Sequence, residues 1–162
     1  MILLIDGFNL IYKFPELEGL MYESKLNLAR EGLLKILNQY KVKRGNTVIH
    51  VFFDGKKDLG SEVRHDEYGG IKIYFSHDVT ADFLIKEYIK RDPNPSNLYV
   101  VTSDNDILFY CKRFSCRSQK SEDFAKWVEK FLFAPVDNED KPIDVKLSGS
   151  ELEYWQDLFK KR

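Results

Sequence analysis

Aspartates end three apolar segments of this chain, and carboxylates so placed can hold a divalent cation. Ile2-Leu3-Leu4-Ile5 runs into Asp6-Gly7-Phe8-Asn9, Thr47 to Phe53 into Asp54, and Leu98 to Val101 into Thr102-Ser103-Asp104-Asn105-Asp106. A fourth acid, Asp82, follows Thr80-Ala81 in the first turn of a predicted helix. Unbroken apolar runs read as strands buried on both faces, as in parallel sheets. In open α/β sheets ligands bind beyond the carboxyl ends of the strands, so Asp6, Asp54, Asp82 and Asp104 are all directed to one edge. Crowded carboxylates raise one another's pKa, and a divalent cation removes that conflict. With no His or Cys cluster, the hard oxygen donors favour Mg2+ or Mn2+ over Zn2+. The matching chemistry is phosphodiester hydrolysis, in which a metal activates water and offsets charge on the phosphate oxygens. The amide of Asn9 both donates and accepts, which suits it to orient a phosphate or a water. Thr102 and Ser103 add hydroxyls at the same edge.

Purely structural roles compete with these. Asp82 suits a helix N-terminus, Asp104 or Ser103 suits an N-cap, and Asp54-Gly55 suits a turn. Asp6 is harder to explain that way, because an acid at the end of a central strand must be paired, hydrogen-bonded or metal-bound.

The elements that position these residues follow from periodicity. Strands are expected over 1–6, 47–53, 71–75 and 98–101, with a short fifth at Phe114-Ser115-Cys116. The third alternates (Ile71, Lys72, Ile73), which suits a sheet edge. Residues 7–23 read as an irregular link and 55–69 as a long exposed loop. Ser24 reads as the N-cap of a helix over 25–42, whose stripe is Leu26, Ala29, Leu33, Leu37 and Tyr40, ending at Gly45-Asn46. A second helix begins at Thr80 and stops at Asp92-Pro93. A short one carries Ile107, Leu108 and Cys111, and another spans 121–133 with Phe124, Trp127, Val128, Phe131 and Leu132 on one stripe. Ser148 or Ser150 is expected to cap a last helix bearing Trp155. Strands alternating with helices predict an α/β fold with a central, mostly parallel sheet of four to five strands flanked by helices. No composition break divides the chain, so 1–162 reads as one domain, with a core of about 1–133 and 134–162 as an appendage.

The 162 residues are 43% hydrophobic and 14% aromatic, enough for a sizeable core. No apolar run approaches the roughly 20 residues that span a bilayer, and the N-terminus lacks the features of a signal peptide. No membrane role and a cytoplasmic location are the expectation. Cys111 and Cys116 lack zinc-ligand spacing and read as reduced thiols. A net charge of −1 gives no global attraction to nucleic acid. Two basic groups stand out all the same: Lys56, Lys57 and Arg64 after the second strand, and Lys112, Arg113, Arg117 and Lys120 after the fourth. Both are candidates to hold phosphates beside the acids.

Asp6-Gly7-Phe8-Asn9, Val51-Phe52-Phe53-Asp54, Thr80-Ala81-Asp82 and Val101-Thr102-Ser103-Asp104 occur in the order and spacing of the NYN domain ribonucleases. The chain resembles the YacP-like branch of that PIN-like nuclease superfamily over about residues 1–133. The resemblance implies a three-layer PIN-like fold and a metal-dependent endoribonuclease. It implies Asp6, Asp82 and Asp104 as metal-binding acids with Asn9 beside them, and Asp106 as an extra acid. Asp54 and Asp78 are secondary acid candidates. RNA is the implied partner, and the branch's link to mRNA cleavage on the ribosome makes the ribosome a second. Phe8 stands where a tyrosine is common in that branch. The rival reading is a PIN-like module that binds RNA or the ribosome without chemistry. A phosphatase is disfavoured because Phe8 breaks an Asp-x-Asp pair, and no Walker loop or dinucleotide fingerprint is present.

Overall fold

The computed structural model describes residues 1–55 and 65–133. The apolar runs form strands β1 (Ile2–Asp6), β2 (Val48–Phe53), β4 (Ile71–Phe75) and β5 (Leu98–Val101), joined by β3 (His65–Tyr68) and β6 (Arg117–Gln119). They make one six-stranded sheet in the order β3-β4-β2-β1-β5-β6. Every neighbouring pair is parallel except β3 with β4. β1 lies at the centre, with Ile5 in register with Val51 on one side and Val101 on the other. That register brings the ends of β1, β2 and β5 to one edge of the sheet.

Helices cover both faces. On one, α1 (Gly7–Ile11), α2 (Pro15–Tyr22), α3 (Leu26–Arg44) and α6 (Ser121–Phe133) pack against Leu3, Ile5, Val51 and Val101. On the other, α4 (Ala81–Arg91) and α5 (Asn105–Arg113) pack against Leu4, Phe52 and Val100. Successive strand residues point to opposite faces, so the unbroken apolar runs are those of a sheet buried on both sides. Each fully buried Leu or Ile contributes about 1.5–3 kcal/mol. Tyr40, Phe124, Trp127 and Phe131 form an edge-to-face cluster that seats α6 on α3. Cys111 and Cys116 are free and buried. No helix among the described residues is long and apolar enough to cross a membrane.

Several expectations are corrected. The link 7–23 holds two helices, hidden from periodicity by their shortness and by Pro15, which stands at the first helical position of α2. Ser24 is not a cap; its φ of 61° puts it in the left-handed region, and Lys25 precedes α3. The sheet has six strands, because β3 folds back on β4 through Gly69-Gly70, both at positive φ. β4 is therefore not the edge; its alternation reflects an exposed Lys72 and a half-buried Tyr74. The strand expected at 114–116 lies at 117–119, because α5 runs on to Arg113 and Ser115 turns the chain at φ 61°. The expected helix at 148 onward lies outside the described residues.

Gly7 sits where β1 becomes α1. A Cβ there would lie 2.5 Å from ring atoms of Phe53 and 3.0 Å from the carbonyl oxygen of Phe52. The ring can shift but the β2 backbone cannot. Gly7→Ala is expected to destabilise the protein by about 1–3 kcal/mol, measured as a lower urea midpoint at unchanged slope.

Candidate active site

Asp6 is the last residue of the central strand and is only 6% exposed. The side-chain amide of Asn9, one turn into α1, donates to its Oδ2 at 2.5 Å, and the buried Thr102 hydroxyl donates to the same oxygen at 3.0 Å. Oδ1 takes no hydrogen bond among the described residues. Burial pushes the Asp6 carboxyl up to about 6. The Thr102 and Asn9 hydrogen bonds oppose that rise, and the charges of Asp54 and Asp104 add to it. Desolvation dominates, as expected for an acid held inside the rim of a sheet.

Thr102 also ties Asp6 to the next acid. Its Oγ1 accepts from the backbone N–H of Asp104 at 3.0 Å, while its own N–H donates to the carbonyl of Gln119 at 3.1 Å. Asp104 caps α5, its Oδ1 accepting from the Asp106 N–H at 2.8 Å. Asp54 plays the corresponding part for α4, its Oδ1 accepting from the Ala81 N–H at 2.7 Å. Thr80 caps the same helix through the Phe83 N–H at 3.0 Å. Asp54 and Asp104 thus have the structural roles that their positions suggest, and each cap occupies only one carboxylate oxygen.

Asp82 stands in the first turn of α4, where its Oδ2 pairs with Lys86 at 3.4 Å. Its Oδ1 is buried without a hydrogen-bond partner among the described residues. Lys86 in turn lies over the Tyr110 ring of α5 at 5.7 Å. Asp106 is exposed in the first turn of α5, and Asp78 is exposed in the turn before α4. Ser103 donates to Glu122 at 2.8 Å. A backbone hydrogen bond at Glu122 and the Ser103 hydroxyl hold that carboxyl below its ordinary range.

The parallel register therefore brings Asp54 and Asp104 within electrostatic reach of Asp6, with Asn9 and Thr102 in direct contact with it. Arg113 ends α5, and Arg117 begins β6 opposite Tyr99, two residues before the level at which β5 ends. Lys56, Lys57 and Arg64 lie outside the described residues. Sequence reasoning missed Glu122 and Gln119. The first was legible only as one of two acids opening α6; the second carried no signal.

Among the described residues no three acidic, histidine or cysteine side chains form a ready-made cluster for a metal. The donors nevertheless suit a hard cation: Oδ1 of Asp6 is uncommitted, Oδ1 of Asp82 is buried and unpartnered, and the capping acids each keep one oxygen. Mg2+ retains several waters and often needs only one or two carboxylates. Asp6, on which the charges of Asp54 and Asp104 act, is the residue around which such an ion would be held.

A six-stranded, mostly parallel sheet between helical layers, with acids at its carboxyl edge, is the architecture of the PIN-like class. The family model for the YacP-like NYN domain matches residues 3–160, and the chain belongs to that family. It is 33% identical over 104 residues to the uncharacterized protein YacP of Bacillus subtilis strain 168, a match covering 64% of this chain. The matched segment spans 60% of that relative's length. The crystal structure of Rae1 (YacP) from Bacillus subtilis superposes with a TM-score of 0.67 at 20% identity, covering 99% of this chain and 91% of that one. A point variant of the same protein gives 0.64 at 18%, covering 95% and 99%. These superpositions bear out the α/β sheet expected from the strand–helix alternation.

Two outcomes test this geometry. Thr102→Val keeps the shape but removes the hydroxyl, so the Asp6 carboxyl should titrate above 6 in a carbon-detected NMR titration, with a loss of about 1–2 kcal/mol in stability. Asp6→Asn tests the cost of the buried charge. An unfolded aspartate ionises near 3.8 and the folded Asp6 near 6. Between those values the unfolded chain binds fewer protons, so stability falls as pH rises. Above about pH 7 in metal-free buffer the variant should exceed its parent by up to about 3 kcal/mol, and below about pH 4 the gain should vanish. Urea unfolding across pH measures both limits.

Proposed function

We propose that this protein is a divalent-metal-dependent endoribonuclease that hydrolyses phosphodiester bonds of single-stranded RNA. The observation that carries the reading is Asp6: a buried carboxylate at the centre of the sheet edge, beside the charges of Asp54 and Asp104. The folded chain bears the cost of that arrangement in every molecule, and a bound cation would relieve it. Membership of the YacP-like NYN family supports the same chemistry.

In this reading Asp6, Asp82 and Asp104, with Asp106, hold Mg2+ or Mn2+. When bound, the ion supplies water activation and neutralises charge on the phosphate. The protein's own groups do the positioning. Asn9 and Thr102 fix the Asp6 carboxylate through Oδ2 and leave Oδ1 toward the ligand. Thr102 sets the backbone of Asp104, and the Asp104 cap sets α5. Single strands are favoured because in-line attack needs an accessible backbone. The family resemblance suggests mRNA on the ribosome as the setting, and the cytoplasm, the location expected from the sequence, is proposed with it.

A second reading, an RNA- or ribosome-binding module without chemistry, is favoured by one feature: Lys86 already pairs with Asp82. One assay separates the two. The parent chain should cleave a labelled single-stranded RNA internally with Mg2+ or Mn2+, lose that activity in EDTA and regain it on adding the ion. Asp6→Asn should cut the rate by about a hundredfold or more. Binding without any metal-dependent product would select the second reading.

A further inference from the structure

A groove of about 570 Å³ runs between α5 and β6, within the range of about 300–1,000 Å³ typical of small-molecule sites. One wall is a single face of α5, carrying Asn105, Leu108, Phe109 and Lys112 at helical spacing. The other is the edge strand, with Ser118, Gln119 and Lys120. Phe109 is 66% exposed, so its ring is open to a ligand. Lys112 makes no ion pair among the described residues. Gln119 is only 3% exposed, and the Tyr99 hydroxyl donates to its Oε1 at 3.1 Å, which leaves its amide NH2 as the remaining donor.

We propose that this groove is a nucleotide subsite of the same active site, seating one residue of single-stranded RNA next to the scissile phosphate, with its base on Phe109 and its phosphates on Lys112 and Lys120. The proposal rests on the nuclease reading above and specifies where the strand runs. Continuity supports it: Asn105 directly follows Asp104, and the Gln119 carbonyl holds the N–H of Thr102, which holds Asp6. The groove thus begins at the residue that follows Asp104. Chemistry supports it too, since an exposed ring flanked by cations is how proteins hold single strands without reading sequence. A peptide adding to the open edge is the poorer fit. β6 has only three residues, with Arg117 beginning it and Lys120 following it, and short charged edges resist strand addition.

The test uses the full chain in EDTA, so that RNA binds without being cut, with a fluorescein-labelled adenosine pentaribonucleotide read by anisotropy. Phe109→Ala should weaken binding by about fivefold or more at an unchanged melting temperature, because the ring is largely exposed. Lys112→Ala should reduce the slope of log affinity against log salt by about 0.7. A 4-thiouridine-substituted RNA should crosslink to peptides within residues 105–120. Parent-like affinity and salt slope in both variants, or crosslinks confined to other segments, overturns the groove assignment. If such variants also cleave RNA normally, the nuclease reading stands and the groove is left to a protein segment. Groove-dependent binding without metal-dependent cleavage does the reverse: it keeps the subsite and removes the nuclease. Absence of RNA binding by the parent chain overturns both.

Discussion

The burial of one carboxylate constrains much of this structure. Asp6 ends the central strand, is desolvated on nearly all sides, and receives both of its hydrogen bonds on one oxygen. An acid in that position destabilises the fold when ionised unless something compensates. The surroundings compensate only in part. Asn9 reaches back from the first turn of α1, and Thr102 reaches across from β5. Burial outweighs both hydrogen bonds and holds the carboxyl up at about 6. Strain of this kind is what a site retains when its partner is a ligand rather than the protein itself.

Thr102 is the second organising residue, because three bonds converge on it. Its hydroxyl donates to Asp6 and accepts from the N–H of Asp104, and its N–H is tied to Gln119 on β6. The acid of the central strand, the acid capping α5 and the edge strand are thereby set relative to one another by a single side chain and its backbone. The caps make the same economy on the other side. Asp54 holds the start of α4 with one oxygen, and Asp104 holds the start of α5 with one oxygen. Each cap draws on one oxygen of its carboxylate and leaves the other outside the cap.

Behind the edge, packing keeps these positions still. Phe8, immediately after Gly7, packs its ring at a tilt against Phe53, centroids 5.4 Å apart, and the guanidinium of Arg30 lies 5.0–5.6 Å from the rings of Phe8, Phe53 and Phe75. A cation buried among aromatic faces is held by their quadrupoles, and here it supports the turn that carries Asp6 and Asn9 from the α3 side. On the opposite face Lys86 links Asp82 to Tyr110, so α4 and α5 are joined through the acid edge as well as through their apolar sides.

The residue pattern by itself determined the class of the fold and the sheet edge at which the strand-ending acids lie. Apolar runs ending in Asp6, Asp54 and Asp104 are legible because a strand buried on both faces admits few polar residues, and a parallel sheet sends all such ends one way. It could not determine short elements. α1, α2 and β3 have too few residues for a period to stand out, and β3 exists only because Gly69-Gly70 lets the chain fold back. Nor could it determine partnerships. Asp82 with Lys86 is a helix neighbour that spacing allows but does not require, and Thr102 with Asp6 joins residues 96 positions apart. Likewise nothing in the sequence placed Phe109 and Gln119 in one groove. Those outcomes depend on which way α5 runs from the sheet edge and which strand lies beside β5. Only the packed structure settles such relations, because they come from the simultaneous burial of both sheet faces and not from any local preference.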